Sequence, residues 1–69
     1  MRAFAIVKTK ELLVDFASEH DGMCKVVRTI HGPMAVPPDK ELNGTGQVWD
    51  YYMCDEPDCF DFEKYGISQ

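Results

Sequence analysis

Basic residues all but vanish from the last third of this 69-residue chain. Residues 46–69 hold Lys64 alone against six acids: Asp50, Asp55, Glu56, Asp58, Asp61 and Glu63. Residues 1–45 balance Glu11, Asp15, Glu19, Asp21, Asp39 and Glu41 with Arg2, Lys8, Lys10, Lys25, Arg28 and Lys40. The whole net charge of −5 therefore lies in the C-terminal segment. Long hydrophobic runs are missing too. None approaches the roughly 18 apolar residues of a membrane helix. The opening MRAFAIVKTKELL has a short apolar run and no secretory h-region with a small-residue cleavage site. The sequence predicts a cytoplasmic protein, in its producer or in a cell it enters, with no membrane contact.

Three cysteines are too few, and odd in number, for the paired framework of a secreted miniprotein. NGT at Asn43 to Thr45 fits a glycosylation pattern but reads as a glycine-rich turn. There is no phosphate loop and no dinucleotide fingerprint. Nothing nearby orients a thiol against His20 or His31, so enzymatic activity is not expected. Direct nucleic-acid binding is disfavoured as well. A net charge of −5 is repelled by phosphate, and Lys8, Lys25 and Arg28 make a thin patch.

What is present suits one small folded domain spanning 1–69. At 45% apolar and 12% aromatic, the composition is too hydrophobic for intrinsic disorder. A domain near this size buries only about 60% of its unfolded surface, so stability is marginal. Ala3 to Lys8 reads as a strand. Thr9 suits the cap of a helix whose apolar stripe is Leu12, Leu13, Phe16 and Ala17, and Gly22 suits its left-handed exit. Met23 to Ile30 reads as a second strand. His31 to Gly46, with three prolines and three glycines, reads as a connection with one helical turn from Pro38 to Asn43. Gln47 to Cys54 reads as a third strand, and Cys59 to Tyr65 as a fourth strand or a short helix. The expected class is α+β: a single helix packed on a small antiparallel sheet, in the order β-α-β-β-β.

The stretch CDEPDCFDFE invites a specific register. A four-residue turn over 55–58 would pair Cys54 with Cys59 and Asp50 with Glu63. Alternation then sends Trp49, Tyr51, Met53, Phe60 and Phe62 to a buried face. It sends Asp50, Tyr52, Asp61 and Glu63 outward. Asp50 opposite Glu63 would cost some tenths of a kcal/mol to about one, a poor choice for folding alone. Asp55, Glu56 and Asp58 extend the same field. The candidate partner-binding residues are thus Asp50, Tyr52, Asp55, Glu56, Asp58, Asp61 and Glu63, with Tyr52 as an outward anchor. The competing interpretation is a solvated edge kept unpaired by its acids.

His20, Cys24, Cys54 and Cys59 would supply the ligand types of a zinc site. Their H-x3-C and C-x4-C spacing departs from a knuckle, so no metal or other cofactor is expected. A Cys54–Cys59 disulfide and plain thiols both remain open. A calcium loop lacks its glycine.

In size, charge asymmetry and the strand–helix–strand–strand order ending in DYYMCDEPDCFDFE, the chain resembles the small acidic inhibitors encoded by bacteriophages, anti-CRISPR proteins in particular. That family shares no motif, so no functional residue transfers from it. The resemblance implies carboxylates standing in for phosphates, a DNA-mimicking face that blocks a basic groove, and a bacterial host cytoplasm. Same-face strand residues lie about 6.6 Å apart, which suits such a role. The expected function is non-enzymatic inhibition of a basic nucleic-acid-binding protein or ribonucleoprotein effector complex, by a monomer or weak homodimer. The alternatives are a zinc-stabilised adaptor module and an accessory protein whose acidity aids only solubility.

Overall fold

The computed structural model describes residues 2–40 and 47–69. Strand β1 (Ala5–Ile6) precedes helix α1 (Lys10–Ser18), which is followed by β2 (Met23–Thr29), β3 (Gly32–Val36) and β4 (Gln47–Met53). Two single turns of 3-10 helix, Pro57–Cys59 and Glu63–Tyr65, complete the chain. The sheet runs β1-β3-β2-β4 and every pairing is antiparallel. The helix packs on one face of it, so the class is α+β in the order β-α-β-β-β. The NGT turn and residues 41–43 of the helical turn expected from Pro38 to Asn43 lie outside the described residues.

Thr9 starts the helix because its extended backbone turns the hydroxyl back to accept the Leu12 N–H at 3.2 Å. Leu13, Phe16 and Ala17 are fully buried, as their spacing requires. Leu12, placed on the same stripe, is exposed instead, and Val14 takes a half-buried position against the core. After the Glu19 cap the chain reverses through Asp21 and Gly22, with φ of 61° and 81°. Gly22 thus has the left-handed backbone its sequence position suggests.

The strands differ in membership from those read in the sequence. β3 falls inside the segment taken for a connection. It forms a tight hairpin with β2, pairing Thr29 with Gly32. The Thr29 hydroxyl donates to the Gly32 carbonyl at 2.9 Å and accepts the His31 N–H at 3.1 Å, which locks that turn. Pro33 stands inside this central strand, where proline is unusual. It is tolerated because a strand residue turns its N–H and C=O to the same side. The Pro33 carbonyl accepts the Val7 N–H at 2.8 Å, so its missing donor faces β1 and costs the β2 ladder nothing.

The fourth expected strand, Cys59 to Tyr65, does not form. Its aromatic residues pack on the core without pairing. Phe60 and Phe62 join Tyr52 in edge-to-face contacts, with ring centroids 5.1–5.8 Å apart. Ile67 closes the same core, which includes Val7, Leu13, Phe16, Cys24 and Val26. Ser68 then bonds back to the start of the helix. Its N–H donates to the Lys8 carbonyl at 2.9 Å and its carbonyl accepts the Lys10 N–H at 2.6 Å. The C-terminus is a clasp across the sheet–helix layer.

Candidate acidic interface

A β-bulge decides which residues of β4 face outward. Val27 pairs with Val48 and Val26 pairs with Asp50, which leaves Trp49 as an extra residue. Trp49 turns toward the core and stacks on Tyr65 at 5.0 Å. Past the bulge the alternation changes phase. Tyr52, opposite the buried Cys24, enters the core at 2% exposure, and Tyr51 stands outside at 43%. The expected outward position of Tyr52 and inward position of Tyr51 are therefore both corrected. Burial, and then the nearby Cys54 thiol, raise the Tyr52 hydroxyl pKa. Tyr52 is a core residue and not an interface anchor.

The register that set Asp50 against Glu63 and Cys54 against Cys59 is also absent, because residues 54–69 do not pair with β4. The Cys54 N–H donates instead to the Gly22 carbonyl at 2.8 Å. Cys24, Cys54 and Cys59 are free thiols, respectively buried, half-buried and exposed. Burial, with the nearby Cys54 as a lesser cause, pushes the Cys24 thiol up to about 12. Among the described residues no three His, Cys, Asp or Glu side chains converge into a group that would hold a metal ion.

Five of the six acids, Asp55, Glu56, Asp58, Asp61 and Glu63, are exposed to solvent. Asp50, opposite the core residue Val26 and in phase with Tyr52, lies on the inward face and is half-buried, which corrects its expected outward position. The alternation expected over 60–63 holds without a strand: Phe60 and Phe62 point in, Asp61 and Glu63 point out. The two phenylalanines thus pin a loop whose alternate carboxylates, Asp61 and Glu63, face water. Some of these acids also serve the local backbone. Asp50 Oδ1 accepts the Tyr51 N–H at 2.8 Å, and Asp61 Oδ1 accepts the Lys64 N–H at 3.1 Å. The Cys59 thiol donates weakly to Glu56 Oε2 at 3.7 Å. Asp55, Asp58 and Glu63 make no such side-chain bond among the described residues. The ion pair among the described residues, Arg2 with Glu19 at 2.9 Å, lies elsewhere; Lys10 and Lys64 stand over the Phe62 and Tyr65 rings at 5.5 Å without closing an ion pair to the acids of the loop.

The carboxylates therefore sit on turns, not on a strand at a regular spacing. The arrangement holds several negative charges on a loop fixed by buried aromatics. Such a loop attracts a cationic surface without first losing much backbone entropy. Comparison with known protein families, curated proteins and solved structures finds no match in any of the three.

Proposed function

We propose that this protein is a non-enzymatic inhibitor that docks its acidic C-terminal loop on a basic, nucleic-acid-binding protein or ribonucleoprotein complex of a bacterial cytoplasm. The observation that carries the proposal is the concentration of the whole −5 charge after residue 45, where five of the six carboxylates are exposed and none has an ion-pair partner among the described residues. An isolated small domain gains nothing in folding from clustered like charge, and self-repulsion destabilises the compact state. A cationic groove that ordinarily holds nucleic acid is the complementary surface. The inhibition is competitive: carboxylates engage the cations that would otherwise hold phosphates, and anti-CRISPR-type proteins are the kind of inhibitor this describes. Irregular turn spacing favours charge matching over imitation of phosphate geometry.

The test uses Asp55→Lys, Asp58→Lys and Glu63→Lys together, since none of these side chains makes a hydrogen bond that the fold requires. Each substitution adds two units of charge, taking the net from −5 to +1. Wild-type protein immobilised in a bacterial lysate is expected to retain nucleic-acid-binding proteins that short DNA or RNA displaces. The folded triple variant is expected to lose them. Equal capture by both proteins would reduce the acidic loop to a solubilising surface.

A further inference from the structure

The proposed function leaves β4 unexplained. β4 is an edge strand, bonded to β2 on one side. Alternate residues of an edge strand turn their N–H and C=O groups outward. Among the described residues no other segment bonds to the backbone of Gln47 to Tyr52 along that edge. Beside it, on the sheet face opposite the helix, Val48 and Tyr51 are 44% and 43% exposed. An edge of this kind invites another strand.

The carboxylates around the edge select which strand; the nearby cations Lys25 and Arg28 belong to β2, and the Lys25 amine, 5.8 Å over the Tyr51 ring, is held by the Lys40 carbonyl at 2.7 Å. A second copy is disfavoured: antiparallel pairing of β4 with itself about its centre would oppose Asp50 to Asp50. It would also bring two acidic loops together. Asp50 further guards the edge, because its carboxylate already accepts the Tyr51 N–H. A neutral strand would have to break that bond. A lysine or arginine on an incoming strand offers the carboxylate a stronger, charge-assisted partner and frees the N–H for the ladder. The guard thus yields to cations.

We infer that β4 binds an extended, Lys/Arg-rich segment of the partner by strand addition, with Asp50 as the gate and Val48 and Tyr51 as the apolar seat. This rests on the proposed function for its basic partner and adds how the partner is held. Backbone pairing would supply affinity that survives salt, and the acidic loop at the end of β4 would supply the attraction.

The probe is a fluorescent peptide as long as β4, alternating lysine and valine. Controls are the same peptide with alternate amides N-methylated to remove the pairing donors, and a glutamate–valine analogue. The lysine peptide is expected to bind, to shift the Tyr51 amide resonance and to protect β4 amides from exchange. N-methylation is expected to weaken binding by about tenfold or more, the scale of a few lost backbone hydrogen bonds. Asp50→Asn is expected to weaken the lysine peptide while leaving the fold intact. The glutamate peptide is expected not to bind. Equal binding of the methylated peptide would overturn strand addition while leaving the acidic-surface proposal standing. Failure of both lysine peptides, with lysate capture still dependent on the acidic loop, would likewise overturn only strand addition. Failure of both together with unchanged capture by the triple variant would overturn both. A concentration-dependent dimer that protects β4 in the absence of peptide would assign the edge to a second copy and overturn the inference.

Discussion

Tyr52 shows how much one residue's environment changes its meaning. Its phenol lies against Phe60 and Phe62 and is all but excluded from solvent. Tyr52→Ala should therefore cost about 3–5 kcal/mol, much of the stability of a domain this small, because truncating a buried ring leaves a cavity. Tyr52→Phe conserves volume and should cost less than about 1.5 kcal/mol. Urea unfolding of the two variants checks this. An Ala variant with the wild-type midpoint would restore Tyr52 to the surface. Cys24 carries a second residue-scale prediction. Its folded pKa of about 12 lies above the ordinary 9.0, so the unfolded chain gives up the proton first as pH rises. The stabilising contribution is complete below about pH 9 and is lost between there and 12, by up to about 1.4 kcal/mol per pH unit. Between pH 7.5 and 10.5 the wild type should lose ~2 kcal/mol more than Cys24→Ala, by chemical denaturation. Identical pH profiles would show that the thiol titrates alike in both states. Iodoacetamide should label the exposed Cys59 in the native protein and reach Cys24 only on unfolding.

Single residues rearrange whole elements here. Trp49 enters as the extra residue of the bulge and reverses the facing of everything after it in β4. Period-two alternation locates the strand but has no means of reporting a bulge, because the inserted residue is apolar and the pattern stays plausible on either phase. The hairpin of β2 and β3 is hidden in the sequence for a related reason. A proline in a central strand is acceptable only once it is known which neighbour its missing N–H faces. The C-terminal clasp is likewise tertiary. Ile67 has no periodic partner nearby, yet only 2% of its surface is exposed, and Ser68 bonds to residues 8 and 10. Ile67→Ala should cost about 2–5 kcal/mol and lower the melting temperature, although it lies near the end of the chain. A thermal scan unchanged by that substitution would mean the clasp is not part of the cooperative unit. Thr9, Leu13, Phe16, Ala17 and Gly22, by contrast, were legible, since capping and helical spacing are local.

For the molecule as a whole, the uneven charge makes association the quantity to measure. Attraction between an acidic loop and a basic partner is long-ranged and screened within about 8–10 Å at ordinary ionic strength. The on-rate for a captured partner should therefore fall steeply as salt rises from 50 to 300 mM, while the off-rate changes less. Replacing Glu11 and Asp15 with lysine on the exposed side of α1 should leave that salt dependence largely intact. The Asp55, Asp58 and Glu63 reversal should flatten it. Stopped-flow or surface-plasmon measurements separate these outcomes, and an on-rate indifferent to salt would argue against electrostatic capture.

The sequence by itself determined the charge asymmetry, the helix with its cap, the α+β class and the inward–outward alternation of Phe60 to Glu63. Each follows from composition or from contacts within a few residues. The tertiary structure alone decided that Tyr52 is core and Tyr51 surface, that Pro33 belongs to a central strand, and that the acids ride on turns. Those outcomes depend on strand neighbours, on a register shift and on a clasp closing residues 8–10 against residue 68. Such long-range pairings leave no periodic trace in the chain that makes them.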